Sequence, residues 1–254
     1  MSLSLLANIP NRKFEKSDIG FKAFAKFGII IESYRILEYL VEKSGFDFFR
    51  VSSYHLDYDW YAVQKDGVRI AVAVSQGASM AVDLAERYRD SGAEIIVRIG
   101  TAGKLTGTSK IGDVVIPFAA IRDEGTSKFY QSILAPALCD VPISILLSER
   151  LQNKKLNVHN GIIWSTDGRW RETDELISQR ISDGALATDM ESAALYSFGQ
   201  FHKLTTSSIS VISDEINHGD NTELRGLSDE NFWFETVLPT LNQVFVSVIE
   251  QITS

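Results

Sequence analysis

The chain has 254 residues, of which 44% are hydrophobic and 23% charged, a composition typical of a globular protein with a substantial core. Its formal net charge of −8, without a cluster of lysine and arginine, argues against binding to nucleic acid. One cysteine excludes an internal disulfide framework, and four histidines without ligand spacing argue against a metal site. No apolar run has the length of a membrane-spanning helix, so we predict a cytoplasmic protein with no membrane partner.

No proline-rich linker, repeat or low-complexity segment divides the chain. We therefore predict a single domain over residues 1–254, in which residues 1–26 form an N-terminal extension. The first residues, Met1–Leu6, are too short for a signal peptide and lack its basic flank. Met1–Leu3 would also fit a cloning remnant.

Apolar runs of strand length alternate with amphipathic stretches of helical spacing. The predicted strands are Phe27–Ile31, Trp60–Val63, Val68–Val74, Glu94–Ile99, Val114–Ile116, Asn160–Trp164 and Ser208–Ile212. The predicted helices are Ile36–Gly45, Met80–Arg89, Ile143–Lys155, Glu191–His202 and Asn231–Ile252. This alternation favours an α/β fold with a central, mixed and mostly parallel twisted sheet flanked by helices. Ligands of such sheets bind at the carboxyl ends of strands, so those ends supply the candidate site residues.

The first strand end of interest is Arg98–Gly103. Its two glycines would let the backbone turn sharply and bring amide groups close to a ligand. Arg98 adds a cation and Thr101 a hydroxyl donor, a combination that suits phosphate. A strand that ends in a glycine turn beside a surface arginine would give the same pattern, so the hexapeptide alone leaves both readings open.

Two later strand ends carry carboxylates. Glu191, near the start of a predicted helix, would be held ionised by the helix dipole and could accept hydrogen bonds from the vicinal hydroxyls of a ribose. Asp189 lies at the same junction and would also serve as a helix cap. Asp214 follows the strand Ser208–Ile212, where desolvation would raise its pKa and make it a proton donor, although it too would fit a helix cap.

Taken together, these segments resemble the nucleoside phosphorylase and uridine phosphorylase superfamily. Arg98–Gly103 and Ile111–Ile116 are similar to the family's phosphate loop and the strand after it. Ala120–Ser127 is similar to the segment that follows in uridine phosphorylases, and Asp189–Ala194 to the ribose-binding signature. The resemblance implies the family's barrel-like, distorted mixed sheet. It also implies phosphate-dependent cleavage of a nucleoside's N-glycosidic bond to free base and ribose 1-phosphate.

The resemblance further implies a role for individual residues. It assigns Arg35, Arg98 and Thr101 to phosphate, Met190 and Glu191 to ribose, Ala102, Gly103, Trp170, Asp189 and Ser213 to the base, and Asp214 with Arg225 to catalysis. A phosphate beneath the anomeric carbon would position the nucleophile and stabilise a ribosyl cation-like state. The leaving base would need a proton or strong hydrogen bonds. Phosphate is then a co-substrate, and no cofactor or metal is expected.

The chain departs from the family pattern in several places. Ile31–Arg35 replaces a Gly-Asp-Pro turn, and Glu32 adds a negative charge there. The glycine-rich loop is shortened to Ser75–Ser79. His55 or Leu56 stands where a neighbouring subunit of the family often donates an arginine.

The prediction of the base depends on Asp214. In purine phosphorylases that resemble this chain, a Ser-Asp pair here delivers a proton to purine N7. Uridine phosphorylases instead read uracil with a glutamine and an arginine, and Arg171–Glu175 holds neither at the matching places. We therefore predict purine nucleosides, with Arg225 as a helper arginine or a surface residue. Trp170 would replace the family's base-stacking phenylalanine or serve as a core aromatic.

Three alternatives remain open. One is a uridine phosphorylase. The second is a nucleosidase of the methylthioadenosine type, which uses water and replaces the phosphate arginine, so Arg98 disfavours it. The third is a non-catalytic nucleoside-binding protein, which the altered turn at Ile31–Arg35 favours.

The family resemblance also implies a homodimer or a larger homo-oligomer with active sites near the interface. An aromatic-rich stretch could line the subunit contact or fill the chain's own core; it comprises Phe46, Phe48, Phe49, Tyr54 and Trp60.

Overall fold

The computed structural model describes residues 11–13, 25–52, 60–215 and 230–254. The strands are β1 (Asn11–Lys13), β2 (Phe27–Ile31), β3 (Phe48–Ser52), β4 (Trp60–Lys65), β5 (Val68–Val74), β6 (Ile95–Lys104), β7 (Val114–Asp123), β8 (Ala137–Leu138), β9 (Val158–Thr166), β10 (Ala185–Asp189) and β11 (Thr205–Glu215). The helices are α1 (Tyr34–Lys43), α2 (Ala78–Asp90), α3 (Val141–Asn153), α4 (Asp174–Ser182), α5 (Ser192–His202), α6 (Glu230–Phe232) and α7 (Leu238–Ile252). Short 3₁₀ turns lie at Ser127–Phe129 and Arg169–Arg171, and a π-helical turn at Trp233–Val237 joins α6 to α7.

All these strands belong to one mixed sheet. β2 pairs in parallel with β5 and β6, and β5 continues antiparallel through β4 to β3. On the other side, the order β6–β10–β9–β7–β11 returns to β6, because β11 also pairs with β6 in parallel. These five strands close a ring, so the prediction of an α/β fold with a mixed, barrel-like sheet flanked by helices is confirmed.

Side chains of β2 point alternately to the two faces of the sheet, and both faces are buried there. Ile29 and Ile31 pack into the cluster that includes α1, α3 and α7, whereas Ile30 packs into the cluster that includes α2 and α5. A strand with two buried faces is a nearly continuous apolar run, which is why β2 was detectable in the sequence. The predicted hairpin between β4 and β5 is also present, with Asp66 and Gly67 at φ values of 51° and 79° in its two-residue turn.

The predicted glycine turn at residues 100–103 is wrong. These residues remain within β6 and pair with β11 and β10 up to Lys104. Glycine is needed at position 100 because the side chains of Glu32 and Arg98 lie against the backbone there. A Cβ atom would collide with both. The candidate residues of β6 therefore lie in a strand that is hydrogen-bonded on both sides and not in a turn.

Three of the five aromatic residues proposed for a subunit contact lie in the chain's own core. Phe46 and Phe48 pack against Phe245, with ring centroids 6.2 and 5.9 Å apart, and Trp60 packs edge-on against Tyr88 at 5.0 Å. Their assignment to a subunit contact is therefore corrected. Phe49 is half-buried in β3, and Tyr54 lies outside the described residues. Assembly into a homo-oligomer stays a prediction.

Within the described part of the chain, no helix is both long and apolar enough to cross a membrane.

Candidate active site

A pocket opens where the carboxyl ends of β2, β6, β10 and β11 meet, the edge at which α/β sheets bind ligands. It is lined by Glu32, Gln76, Arg98, Thr101, Ala102, Gly103, Arg169, Glu172, Thr188, Asp189, Met190, Glu191 and Asp214. The parallel register of β6 and β11 pairs Gly103 with Asp214. Residues distant in sequence thus share one cavity because the ring of strands brings their ends together.

Arg98 lies at the bottom of the pocket and is only 1% exposed. Its guanidinium contacts Glu191 at 2.6 Å, Glu32 at 3.2 Å and the Ser210 hydroxyl at 2.9 Å. Burial lowers the pKa of Arg98, but Glu191, Asp189 and Glu32 outweigh this effect and raise it above its usual value. Arg98 is therefore a permanently charged, buried cation and not the surface arginine of the alternative interpretation.

The backbone N–H and the hydroxyl of Thr101, together with Arg98 Nη2, form a group of donors that we call the anion cradle. The carboxylate of Glu32 contacts all three. Glu32 accepts a hydrogen bond from the Thr101 backbone N–H, and the Thr101 hydroxyl lies 3.0 Å from both of its oxygens. Arg98 Nη2 completes the set at 3.2 Å from Glu32 Oε2. Glu32 immediately follows β2, and its backbone N–H donates to the Ile99 carbonyl of β6, which fixes the side chain beside the cradle.

Glu191 contacts the same guanidinium nitrogen of Arg98 as Glu32 does and is 2% exposed. The backbone N–H of Gly77 donates to its Oε1 at 2.6 Å, and Arg98 contacts its Oε2. Burial raises the pKa of Glu191, Arg98 opposes this, and the nearby carboxylates of Asp189 and Glu32 add to the increase. Each carboxylate oxygen has more than one lone pair, so Glu191 retains acceptor capacity toward the pocket.

Asp189 is held by hydrogen bonds from three groups of the chain. The hydroxyl of Ser165 donates to Oδ1, and both the backbone N–H and the hydroxyl of Ser192 donate to Oδ2. Ser192 is the first residue of α5 and Glu191 is its N-cap, so Asp189 accepts a first-turn N–H of that helix from outside the N-cap position. Its side chain is fully buried and lies 3.7 Å from Arg98, where it adds negative charge to the cluster.

A second group of ionisable residues lies around Asp214. The Ser213 hydroxyl donates to Asp214 Oδ1 at 2.6 Å, and Thr188 Oγ1 lies 3.4 Å from Glu172 Oε1. Burial raises the pKa of Asp214, and the Ser213 hydrogen bond and Arg169 partly offset the increase. Burial and the neighbouring Asp214 raise the pKa of Glu172 to about 7. The pKa of each carboxyl group is thus raised above its ordinary value, which makes each a better proton carrier than an exposed carboxylate.

Four residues assigned to the site are not among those that line the pocket. Ser213 lies in β11, where its hydroxyl donates to the lining residue Asp214. Arg35 lies in the first turn of α1, with its guanidinium 5.1 Å from the ring centroids of Trp233 and Phe234. Trp170 is 70% exposed on the turn Arg169–Arg171 and is therefore not a core aromatic. Arg225, like His55 and Leu56, lies outside the described residues.

Four pocket residues have no role predicted from the sequence: Gln76, Arg169, Glu172 and Thr188. The charge of Glu32 was expected, but its position in the anion cradle was not. Glu172 lies within Arg171–Glu175, the segment that lacks the uridine phosphorylase glutamine and arginine at the matching places. The signal available in the sequence was the position of Glu172, two residues after Trp170, which the resemblance assigns to the base.

The family model described as the phosphorylase superfamily matches residues 26–250. The chain belongs to this superfamily. A guanosine phosphorylase of Halorubrum lacusprofundi is 28% identical over 156 residues, which cover 61% of this chain and 65% of that protein. A uridine phosphorylase of Thermococcus kodakarensis is 28% identical over 182 residues, which cover 64% of each chain. The chain thus spans about two thirds of the length of these curated relatives.

The phosphorylase superfamily fold is also seen in a solved relative. The crystal structure of a uridine phosphorylase from Vibrio fischeri ES114 superimposes with a TM-score of 0.74, at 20% identity, over 91% of this chain and 92% of that one. At this identity the comparison shows the fold alone. The sequence resemblance to the superfamily is confirmed, whereas the relatives include both purine and uridine phosphorylases and leave the base open.

Proposed function

We propose that the protein is a nucleoside phosphorylase, a pentosyltransferase that uses inorganic phosphate to cleave the N-glycosidic bond and favours purine nucleosides. The observation that carries this proposal is the order of groups along one pocket. The anion cradle lies at Thr101 of β6, Glu191 lies beside it, and Asp214 pairs with Gly103. Thr101 and Gly103, the partner of Asp214, are two residues apart along β6, so their backbones are separated by about 7 Å. This distance is on the scale of a ribose between a phosphate and a base.

In this mechanism the anion cradle holds phosphate, and a phosphate oxygen forms a bond to the anomeric carbon as the bond to the base breaks. The bonding electrons leave with the base, and the positive charge that develops on the ribose is stabilised by the phosphate dianion. Glu191 accepts hydrogen bonds from the ribose hydroxyls, while Met190 packs against the sugar. Binding of both reactants in one buried pocket supplies their orientation.

The preference for purines rests on Asp214. A purine leaving group is neutralised most readily by a proton at N7, and a carboxyl group with a raised pKa can donate it. Ser213 orients this carboxyl, and Ala102 and Gly103 form the adjacent wall of the proposed base site. Trp170 would join that site only if the turn Arg169–Arg171 moved toward a ligand, and a catalytic role for Arg225 stays a prediction. Glu172 is a second donor at the same end of the pocket.

A second candidate function is hydrolysis of the same bond by water. The observation that favours it is the carboxylate of Glu32 in the anion cradle, since a negative side chain there repels phosphate. Arg98, a phosphate ligand by resemblance, favours phosphorolysis. We expect no cofactor and no metal in either case, a cytoplasmic location, and assembly as a homodimer or larger homo-oligomer.

The experiment is a panel of inosine, guanosine, adenosine, uridine and methylthioadenosine, each incubated with and without inorganic phosphate and assayed for free base. We expect purine release that requires phosphate. Release that is independent of phosphate would favour hydrolysis, and uridine cleavage without purine cleavage would overturn the base assignment. If no nucleoside is cleaved but several bind, the protein is a non-catalytic nucleoside-binding protein.

A further inference from the structure

The anion cradle presents three donors to the same two oxygens. The Thr101 N–H, the Thr101 hydroxyl and Arg98 Nη2 all reach the carboxylate of Glu32. A backbone N–H, a hydroxyl and a guanidinium are also the donors that proteins direct at phosphate oxygens. The Glu32 carboxylate therefore takes up the hydrogen-bonding capacity on which phosphate binding would depend.

The close approach of Glu32 depends on a specific feature of β6. At Gly100 a Cβ atom would collide with Glu32 Oε2 and with the Arg98 guanidinium, so the carboxylate reaches the cradle only because this residue is glycine. Glu32 is also placed at the pocket wall by its position directly after β2. Its side chain keeps 14% exposure, whereas that of Arg98 is 2% exposed, so Glu32 has room to move toward the pocket and Arg98 does not.

The local charge balance makes phosphate and this carboxylate mutually exclusive. Arg98 faces Glu32, Asp189 and Glu191, so one buried cation already serves three carboxyl groups. A phosphate dianion added beside Glu32 would raise the negative charge further in a poorly solvated place. Like charges a few ångströms apart repel each other strongly where few water molecules screen them.

We propose that Glu32 is a built-in competitor of phosphate: its carboxylate must leave the anion cradle before inorganic phosphate binds, and this competition sets the phosphate requirement of the protein. This inference rests on the proposed function, because it assumes that the anion cradle is the phosphate site. It makes Glu32 a residue that determines which nucleophile is used. The side chain of Glu32 swings toward the pocket opening when phosphate takes its donors.

The test is calorimetric titration of inorganic phosphate into the wild-type protein, Glu32→Gln and Glu32→Ala. Glutamine removes the charge and keeps the shape, whereas alanine removes the occupant, so the proposal does not depend on one variant. We expect both variants to bind phosphate about tenfold or more tightly than the wild type, because repulsion and competition are both relieved. Glu42→Gln, the same change on the outer part of α1, is the matched control and leaves the affinity unchanged.

A double variant tests whether the gain arises in the cradle. Thr101→Val removes the hydroxyl donor, and in the Glu32→Gln background it reverses much of the gain in phosphate affinity. In assays of base release, Glu32→Gln lowers the KM for phosphate with a smaller change in kcat. Equal phosphate affinity in the wild type and both folded variants, or tighter binding by the wild type, would overturn the proposal.

Failure of the proposed function gives a different result. In that case no protein of the series releases base in a phosphate-dependent manner, whereas calorimetry still reports whether Glu32 excludes phosphate. Melting curves of each protein identify loss of fold. Absence of phosphate-dependent base release from the folded wild type and variants alike counts against phosphorolysis, whereas a phosphate affinity that does not change with Glu32 counts against the role of Glu32.

Discussion

The two ends of the pocket place carboxyl groups beside very different cations. Near β2, the fully buried Arg98 contacts Glu32 and Glu191 directly and has Asp189 at 3.7 Å. At the end near Asp214, the carboxyl groups of Asp214 and Glu172 lie close to Arg169, which is only half-buried. The first end is held together by direct ion pairs, whereas the second is dominated by burial.

Under the proposed function, this difference would let one pocket bind an anion and donate a proton. A buried cation that cannot lose its proton offers a fixed positive charge to phosphate, although burial still raises the pKa of Glu191 beside it. At the other end, burial raises the pKa of Asp214 and Glu172, and the half-buried Arg169 opposes this increase only in part. We therefore assign nucleophile binding to the Arg98 end and proton donation to the Asp214 end.

The largest effect is expected when Arg98 is removed, and removal of Arg169 at the other end serves as the comparison. Arg98→Ala leaves three carboxyl groups without their partner, so we expect a loss of about 3–5 kcal/mol in the free energy of unfolding. Where the variant folds, kcat/KM falls about tenfold to a thousandfold. Arg169→Ala, at the more exposed end, costs less than about 1 kcal/mol. Denaturant unfolding of both variants measures the contrast, and equal losses would contradict it.

The second prediction concerns the proton donor. Asp214→Asn is expected to reduce kcat for inosine or guanosine by about 10²–10⁴-fold, because the amide cannot supply a proton to the leaving base. A substrate whose leaving group departs without protonation keeps most of its rate. Steady-state kinetics on both substrate kinds measures this, with Asp90→Asn as a surface control. A similar loss on both would show that Asp214 instead maintains the shape of the pocket.

The third prediction is a pH dependence of stability due to Glu172. Its pKa is raised to about 7 from an ordinary 4.5, so the folded state binds this proton more tightly than the unfolded state. The resulting stabilisation is complete below the ordinary pKa and is lost as pH rises through 7. Glu172→Gln removes this loss, so we expect the variant to be more stable than the wild type by about 1–3 kcal/mol at pH 8.

Urea unfolding of the wild type and Glu172→Gln at pH 5, 6.5 and 8 measures this difference. The gap between the two proteins is expected to shrink toward pH 5. A constant gap across this range would mean that the effect of the substitution is steric, and that Glu172 is not the titrating group.

The smallest effect is expected for the sugar. Glu191→Gln weakens the acceptor for the ribose hydroxyls, so we expect a several-fold larger loss of kcat/KM for inosine than for 2′-deoxyinosine. The ratio between the two sugars is the informative quantity, because it cancels any general damage to the Arg98 cluster. Equal losses would indicate that Glu191 contacts only the 3′-hydroxyl or acts by positioning Arg98 and Gly77.

Much of the fold could be predicted because its strands are locally distinctive. β2 and β5 are apolar runs, and the β4–β5 turn carries an Asp-Gly pair. The closure of the ring was implied by the family resemblance and not by any local pattern, since it depends on the pairing of β6 with β11 across more than a hundred residues. The continuation of β6 through Gly100–Gly103 was missed for the same reason: glycine lowers local strand preference, and long-range pairing overrides it.

Some residues of the candidate site could likewise be predicted from local motifs, and others could not. Arg98, Thr101, Glu191 and Asp214 belong to contiguous motifs at strand ends, so their meeting in one pocket could be predicted. The directions of other side chains depend on packing that no local pattern encodes. Arg35 turns to the aromatic rings of the π-helical turn. Glu172 and Trp170 belong to one short segment, yet Glu172 lines the pocket and Trp170 is exposed.

The most direct test of the central claim is the identity of the sugar product. Inosine incubated with the protein and inorganic phosphate is expected to give one ribose 1-phosphate for each hypoxanthine released, as followed by phosphorus NMR and chromatography of the base. Release of hypoxanthine with free ribose, and without consumption of phosphate, would contradict the assignment of Arg98 and Thr101 to a phosphate nucleophile.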